Sequence, residues 1–361
     1  MTQQNPSHAE PRPAAETSIY NLSMDDLKQS IRQLITEPED SGTPFITHTG
    51  DEWLEIHDTQ PESRELFGKL WFEHELCILF SDTNVGKSIL AVQVGGSIAK
   101  GEGIAPFTPM AGKQRVLYFD FELSTRQFGN RYVDEQKNRH YFGPDFVRSQ
   151  LNTSIEVPAG FGNFEEYICF MIAHEVIAKQ ARVVIIDNIT YLRTETERAK
   201  DALPLMKQLK ALKEKLGLSI LALAHTPKRD RSMPITRNDL SGSKMLINFC
   251  DSAFSIGESY KDSNIRYLKQ IKQRNTEEVY GERNVLVYQI TKPGNFLHYA
   301  YIGTGSEWEH LKQRTDDDAD ELNQQIMTLH AQGLTLRQIG AELHISHTKV
   351  KRVIDQQKDN L

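Results

Sequence analysis

The chain has 361 residues, a formal net charge of -7, 25% charged and 39% hydrophobic residues, which suits a globular protein with one sizeable core and a small appendage. That charge excludes a uniformly basic polyanion binder and leaves room only for a local basic surface. No apolar run approaches the ~20 residues of a membrane span, the start MTQQNPSHAEPRPAAETS lacks a signal-peptide pattern, and Cys77, Cys169 and Cys250 are dispersed in apolar surroundings with no metal spacing. A protein of the reducing cytoplasm with buried thiols and no membrane partner is expected.

Residues 1–20 hold almost nothing to bury and read as a disordered tail. In residues 21–62, Ser23 caps an expected helix with Leu27, Ile31 and Leu34 on one face, and a polar, turn-rich linker follows. The main domain is expected over residues 63–306. It opens with a buried strand at residues 76–80, the loop Ser81-Asp82-Thr83-Asn84-Val85-Gly86-Lys87-Ser88, and a helix from about Ile89. This is the phosphate-binding pattern GxxxxGK[ST] with Ser81 in place of the first Gly. Its backbone N–H groups point at an anion, Lys87 reaches the terminal phosphates, and the Ser88 hydroxyl suits Mg²⁺. A Cβ at Ser81 is expected to restrict the loop and slow turnover.

A second strand, residues 114–119, delivers Asp120, Phe121 and Glu122 at its carboxyl end, where ligands gather in open α/β sheets. Glu122 there suits a base for the attacking water, Asp120 less so, and a solvated strand-end carboxylate is the alternative. Residues 132–150 show no resolved pattern. Asn163 and Glu166 start a helix to Gln180; Arg182 to Asn188 then read as a central strand whose Asp187 reaches the Mg²⁺ shell, or merely caps a helix. Leu205, Leu209, Leu212 and Leu216 mark a helix closed by Gly217, and strand 218–224 ends at His225, placed to donate to a γ-phosphate oxygen or to serve as an ordinary turn histidine.

The stretch KRDRSMPITRNDLSGSK, with Lys228, Arg229, Arg231 and Arg237, reads as a long basic loop able to track a phosphate backbone, or simply a solvated one. Four strands follow near residues 253–256, 265–271, 285–290 and 297–302, the second running into Lys272-Gln273-Arg274. Two cations at alternate strand positions point the same way, which suits phosphate capture, in this subunit's surface or a neighbour's site. Residues 307–319, with Asp316-Asp317-Asp318, read as an acidic linker. In residues 320–361, three helical faces with Gly340 at a close approach, His344 in a turn and Ser346 as a cap give a helix-turn-helix pattern. Its last helix would show His347, Thr348, Lys349, Lys351 and Arg352 to duplex DNA; a three-helix protein-interaction module fits the same pattern.

Taken in order, FGKLWFEHELCILFSDTNVGKSILAVQ, VLYFDFELS, VVIIDNIT, LALAHTPKRD, GSKMLINFCDSAFSIG and YLKQIKQRN resemble the RecA-like ATPases, and more narrowly the RepA-type hexameric DNA helicases of plasmids and other bacterial mobile elements. The resemblance spans about residues 66–303. It implies an α/β RecA-like core with a mostly parallel sheet and a β-rich extension, ATP and Mg²⁺ as ligands, and a ring, most simply a hexamer, acting on single-stranded DNA. Carried across, Lys87 and Ser88 are nucleotide and Mg²⁺ contacts, Glu122 the catalytic base, Asp187 the second metal contact, His225 the γ-phosphate sensor, and Lys272 and Arg274 the pair inserted into the adjacent subunit's site. The carboxyl-terminal residues resemble the helix-turn-helix of resolvases and sigma-like regulators, His344 replacing the usual turn Gly. An ATP-gated DNA-binding regulator or scaffold, and a recombination or clamp-loading factor, are the competing readings.

Overall fold

Strands such as Leu76-Cys77-Ile78-Leu79-Phe80 have no polar face to turn to water, so they are stable only with cover on both sides. In the computed structural model they receive it. The structure describes residues 45–152, 154, 156–192, 202–226, 229–240, 244–313, 316–343 and 345–359. The tail, the helix expected from Ser23, Lys228 and His344 lie outside these residues.

A small hairpin, β1 (Glu65–Phe67) and β2 (Trp71–Phe72), leads into the main sheet. Six strands of that sheet are parallel: β3 (Leu76–Ser81), β4 (Val116–Asp120), β5 (Phe146–Gln150), β6 (Val183–Asp187), β7 (Ser219–His225) and β8 (Ser252–Glu258). Three more, β9 (Ile265–Lys272), β10 (Val285–Thr291) and β11 (His298–Gly305), continue it antiparallel. The order is β11-β10-β9-β8-β3-β7-β6-β4-β5, which puts the phosphate-loop strand between β7 and β8. This is the mostly parallel α/β core with a β-rich extension expected of a RecA-like fold.

Strand alternation divides the core in two. Leu76, Ile78 and Phe80 pack with Val184 and Ile186 against Ile168, Ile172 and Val176 of the helix Phe164–Lys179 and Leu205, Leu209 and Leu212 of the helix Ala202–Leu216. Cys77 and Leu79 face the other way, with Tyr118 and Ile185, onto Leu90, Val94 and Ile98 of the helix Lys87–Lys100. Each such fully buried aliphatic side chain contributes about 1.5–3 kcal/mol, so the strands are held firmly and their carboxyl ends form a fixed row. In chain order we number the helices α1 (Gly50–Thr59), α2 (Lys87–Lys100), α3 (Thr125–Tyr132), α4 (Phe164–Lys179), α5 (Ala202–Leu216) and α6 (Lys244–Phe249).

Several expectations are corrected. The linker before the core contains α1, started by reciprocal Thr49 and Glu52 capping bonds of 3.2 and 2.7 Å. The T-x-x-E signal and the apolar Trp53, Leu54 and Ile56 were present in the sequence, yet no α1 residue is buried. Residues 132–150, which showed no pattern in the sequence, contain the edge strand β5, beside β4. Residues 307–310 are not linker: Glu307 is fully buried, pairs with Lys269 at 2.5 Å and accepts the Ile235 N–H at 2.7 Å. A buried carboxylate in a polar stretch looks like solvent-exposed charge until its partner strand is in place. The acidic run is helical rather than linker and begins α7 (Asp316–Ala331), consistent with acids favouring a helix amino end.

With α8 (Leu336–Glu342) and α9 (His347–Asp359), α7 forms a three-helix unit around Ile326, Ile339, Val350, Val353 and Ile354. A Cβ on Gly340 would come within 2.8 Å of the Ile345 carbonyl, the close approach expected there. Among the described residues no helix is long and apolar enough to cross a membrane.

Candidate functional site

The register of the parallel strands assembles the site. Ser81 pairs with His225 across β3 and β7, and Asp120 with Asp187 across β4 and β6. Their carboxyl ends therefore present the phosphate loop, His225, Asp187 and, just past Asp120, Glu122 along one edge.

In the loop, left-handed backbone occurs at Asn84 (φ 63°) and Gly86 (φ 110°). Asn tolerates that region, and a Cβ on Gly86 would lie 2.6 Å from the Tyr299 hydroxyl. Ser81 is the last residue of β3, in extended structure, so its Cβ restricts nothing; the expectation that it strains the loop does not hold. Its hydroxyl donates to the Asp82 carbonyl at 2.9 Å. Thr83 and Asn84 are exposed, Val85 is buried, and Val85 O accepts from Arg266 Nε at 2.8 Å and Tyr299 OH at 3.1 Å. The amino end of α2 has no side-chain cap, leaving the Lys87 and Ser88 N–H groups for an anion, while the Ile89 N–H donates to Gly86 O at 3.0 Å. Ile89 lies half-buried in that first turn.

Lys87 is buried and folds over the loop, donating to Ser81 O at 3.1 Å, Asp82 O at 3.0 Å and His225 Nδ1 at 3.0 Å. Burial pulls its ammonium down to about 8, against the attraction of Asp187, Glu122 and Asp82. Because Lys87 can only donate, His225 Nδ1 accepts; its Nε2 lies 3.3 Å from Glu122 Oε1 and 2.9 Å from Asn188 Nδ2. His225 is the final residue of β7, so the strand, not a turn, aims it. His225 holds the Glu122 carboxyl below its ordinary range, against partial burial. Asn188 Nδ2 also donates to Glu122 Oε1, while its Oδ1 accepts the Thr190 N–H at 2.7 Å. Asp120 is structural: fully buried, it pairs with Arg148 at 2.8 Å and accepts the N–H groups of Glu122 and Leu123 at 3.1 and 2.8 Å.

Asp187 accepts the Tyr118 hydroxyl at 2.5 Å, and the nearby Ser88 hydroxyl favours its ionised form. Burial pushes its carboxyl up to about 6. The Ser88 hydroxyl and Asp187 carboxylate are neighbouring hard oxygen donors, a set that fits Mg²⁺. Sequence reasoning missed Asn188, Tyr118, Arg148 and Arg266. Only the position of Asn188, directly after the strand-end acid, was a signal.

A match to the AAA domain family AAA_25 covers residues 46–231, more than half of the chain and every residue of this edge. The chain belongs to that family. Its AAA domain is thus of a P-loop ATPase kind. No curated protein matches the sequence. Among solved structures, the KaiC-like protein PH0186 of the hyperthermophilic archaeon Pyrococcus horikoshii OT3 is similar over 63% of this chain and 91% of its own, with 15% identity and a TM-score of 0.42.

The remaining candidates lie elsewhere. β9 runs antiparallel to β8 and pairs Lys272 with Ala253 at the amino end of the parallel strands, the edge away from this subunit's phosphate loop. The strand stops at Lys272, so the expectation of two cations on one strand face fails. Lys272 instead donates to Ile247 O and Cys250 O, both at 2.6 Å, behind α6. Arg274, half exposed, pairs with Asp251 at 3.3 Å.

The loop after β7 also turns inward. Arg229, only 9% exposed, approaches Asp82 at 4.0 Å and donates to Met233 O; Arg231 reaches Asp82 at 3.8 Å and Glu258 at 2.7 Å; Arg237 donates to Ile271 O at 3.1 Å. These arginines brace the phosphate loop and β9 rather than forming the free basic loop expected. On α9, His347, Thr348, Lys351 and Arg352 are exposed and Lys349 half-buried, opposite the buried Val350, Val353 and Ile354.

Proposed function

We propose that this AAA domain protein binds ATP with Mg²⁺ at the Ser81–Ile89 loop and hydrolyses it, driving ring-assembled movement on DNA. The observation that carries the hydrolytic reading is the linked row Lys87, His225 and Glu122 beside Ser88 and Asp187. Lys87 and the loop amides would bind the phosphates. Ser88 and Asp187 would hold Mg²⁺, which supplies charge neutralisation on the phosphate oxygens. Glu122, kept ionised by His225, accepts a proton from the water that attacks the γ-phosphorus, and the bond to the β-γ bridging oxygen breaks to leave ADP and phosphate. His225, bonded at once to Lys87 and Glu122, would sense the γ-phosphate when Lys87 moves to it.

Assembly is supported by the placement of Lys272 and Arg274 on the opposite edge from their own phosphate loop. A cation from there can meet developing phosphate charge only in another copy of the chain, as in the RepA-type rings that the sequence resembles. The α7–α9 unit, with its polar and basic outer face on α9, suits a helix-turn-helix docking on duplex DNA. One observation favours the second reading, an ATP-gated DNA-binding regulator without strand separation: Arg229, Arg231 and Arg237 are engaged within the chain rather than offered to a strand.

The test is ATP hydrolysis with and without single-stranded DNA, beside a strand-displacement assay. Glu122→Gln is expected to lower turnover by about 10²–10⁴-fold with nucleotide still bound, and DNA to stimulate the unaltered protein. Nucleotide-dependent assembly on DNA with no displacement would replace the motor by the regulator.

A further inference from the structure

Tyr118 is fully buried in the middle of β4, between the sheet and α2, where a phenylalanine would pack as well. Its hydroxyl needs its own explanation, because burying one without a partner costs free energy. The hydroxyl spans to the adjacent strand β6 and donates to Asp187 Oδ2 at 2.5 Å. Among the other buried tyrosines, the Tyr288 hydroxyl has no hydrogen-bond partner, Tyr299 donates to Val85 O, and Tyr267 donates to the Glu307 carboxylate at 3.2 Å, away from the phosphate loop. Asp187 is therefore held from inside the sheet by Tyr118, with the Ser88 hydroxyl nearby on the loop side. A carboxylate at a strand end can otherwise rotate about its terminal torsion.

We propose that Tyr118 is a positioning residue for the divalent cation: its hydroxyl fixes the Asp187 carboxylate in the orientation that faces Ser88 and the nucleotide phosphates. The inference rests on the nucleotide-hydrolysis reading above. Removing an outer hydrogen-bond partner of a metal-binding side chain commonly weakens the metal by about 10–100-fold, and Tyr118→Phe removes that one bond while keeping the ring.

The experiment titrates MgCl₂ into the full-length protein with a fluorescent ATP analogue and reads binding, with no turnover required. Tyr118→Phe is expected to bind the analogue normally without Mg²⁺ and to need about 10–100-fold more Mg²⁺ for tight binding. Tyr288→Phe, which loses an equally buried hydroxyl elsewhere, should need no more than the unaltered chain. A double-mutant cycle separates positioning from packing: in an Asp187→Ala background, Tyr118→Phe should change the Mg²⁺ requirement no further. An unaltered requirement in Tyr118→Phe, or the same shift in the Asp187→Ala background, overturns the proposal while leaving the nucleotide reading standing. Failure of the unaltered chain to bind the analogue at any Mg²⁺ concentration would remove both.

Discussion

Glu75, just before β3, shows how one side chain sets a pH response. It is 2% exposed and accepts from Ser252 Oγ at 2.6 Å, the Phe72 N–H at 3.0 Å and Asn275 Nδ2 at 2.8 Å. Burial still dominates and pushes its carboxyl from the ordinary 4.5 up to about 7. Between those values the folded chain keeps a proton that the unfolded chain has released, so this group's contribution is full below about pH 4.5 and is lost as pH rises to about 7. Glu75→Gln keeps an acceptor for Ser252 and Phe72 but cannot ionise. Urea unfolding is expected to show the variant about 2–3 kcal/mol more stable than the unaltered chain at pH 8, with the advantage shrinking towards pH 5. An unchanged pH slope would mean that Glu75 is ionised in the fold. Ser81 carries the converse lesson at the same scale. The pattern mismatch was visible in the sequence, but that the loop holds no left-handed backbone at Ser81 depended on its place at the end of a strand.

Elements, rather than single residues, decide how Lys272 and Arg274 behave. β9 ends where its last lysine closes off the carbonyls behind α6, and the next turn lays Arg274 on Asp251, which is shared with Lys213 at 2.9 Å. This parks an arginine at an edge where its own nucleotide cannot reach. Arg274→Ala is expected to leave ATP binding by the subunit within a few-fold and to cut hydrolysis in the assembled protein by about 10³-fold or more. Normal hydrolysis would reduce Arg274 to a partner of Asp251. Most strands were legible as elements because a continuous apolar run followed by a charged or polar end is a strong local signal. α1 and β5 were not: α1 buries nothing, and β5 is an edge strand whose residues are only partly covered.

At the scale of the whole molecule, two hydrophobic cores line the two faces of the sheet and a third belongs to α7–α9 alone. Deleting residues 316–361 is therefore expected to leave basal ATP hydrolysis and the thermal unfolding of the sheet domain intact. Duplex DNA binding should weaken, with the salt slope falling by about one for each lost phosphate contact. Unchanged duplex affinity would assign α7–α9 to a protein partner instead.

What the sequence determined by itself was chemistry attached to strand ends: a phosphate loop, then Glu122, Asp187 and His225, each at the close of an apolar run. Hydrophobic burial makes such runs strands wherever they pack, so their order along the chain was enough. Only the tertiary structure decided the contacts between strands distant in sequence. Strand order and register put His225 between Lys87 and Glu122, brought the Tyr118 hydroxyl to Asp187, and turned Arg229 and Arg231 onto Asp82. A hydrogen bond or ion pair needs its partners within a few ångströms, and nothing in the spacing of residues along one strand specifies what stands on the next.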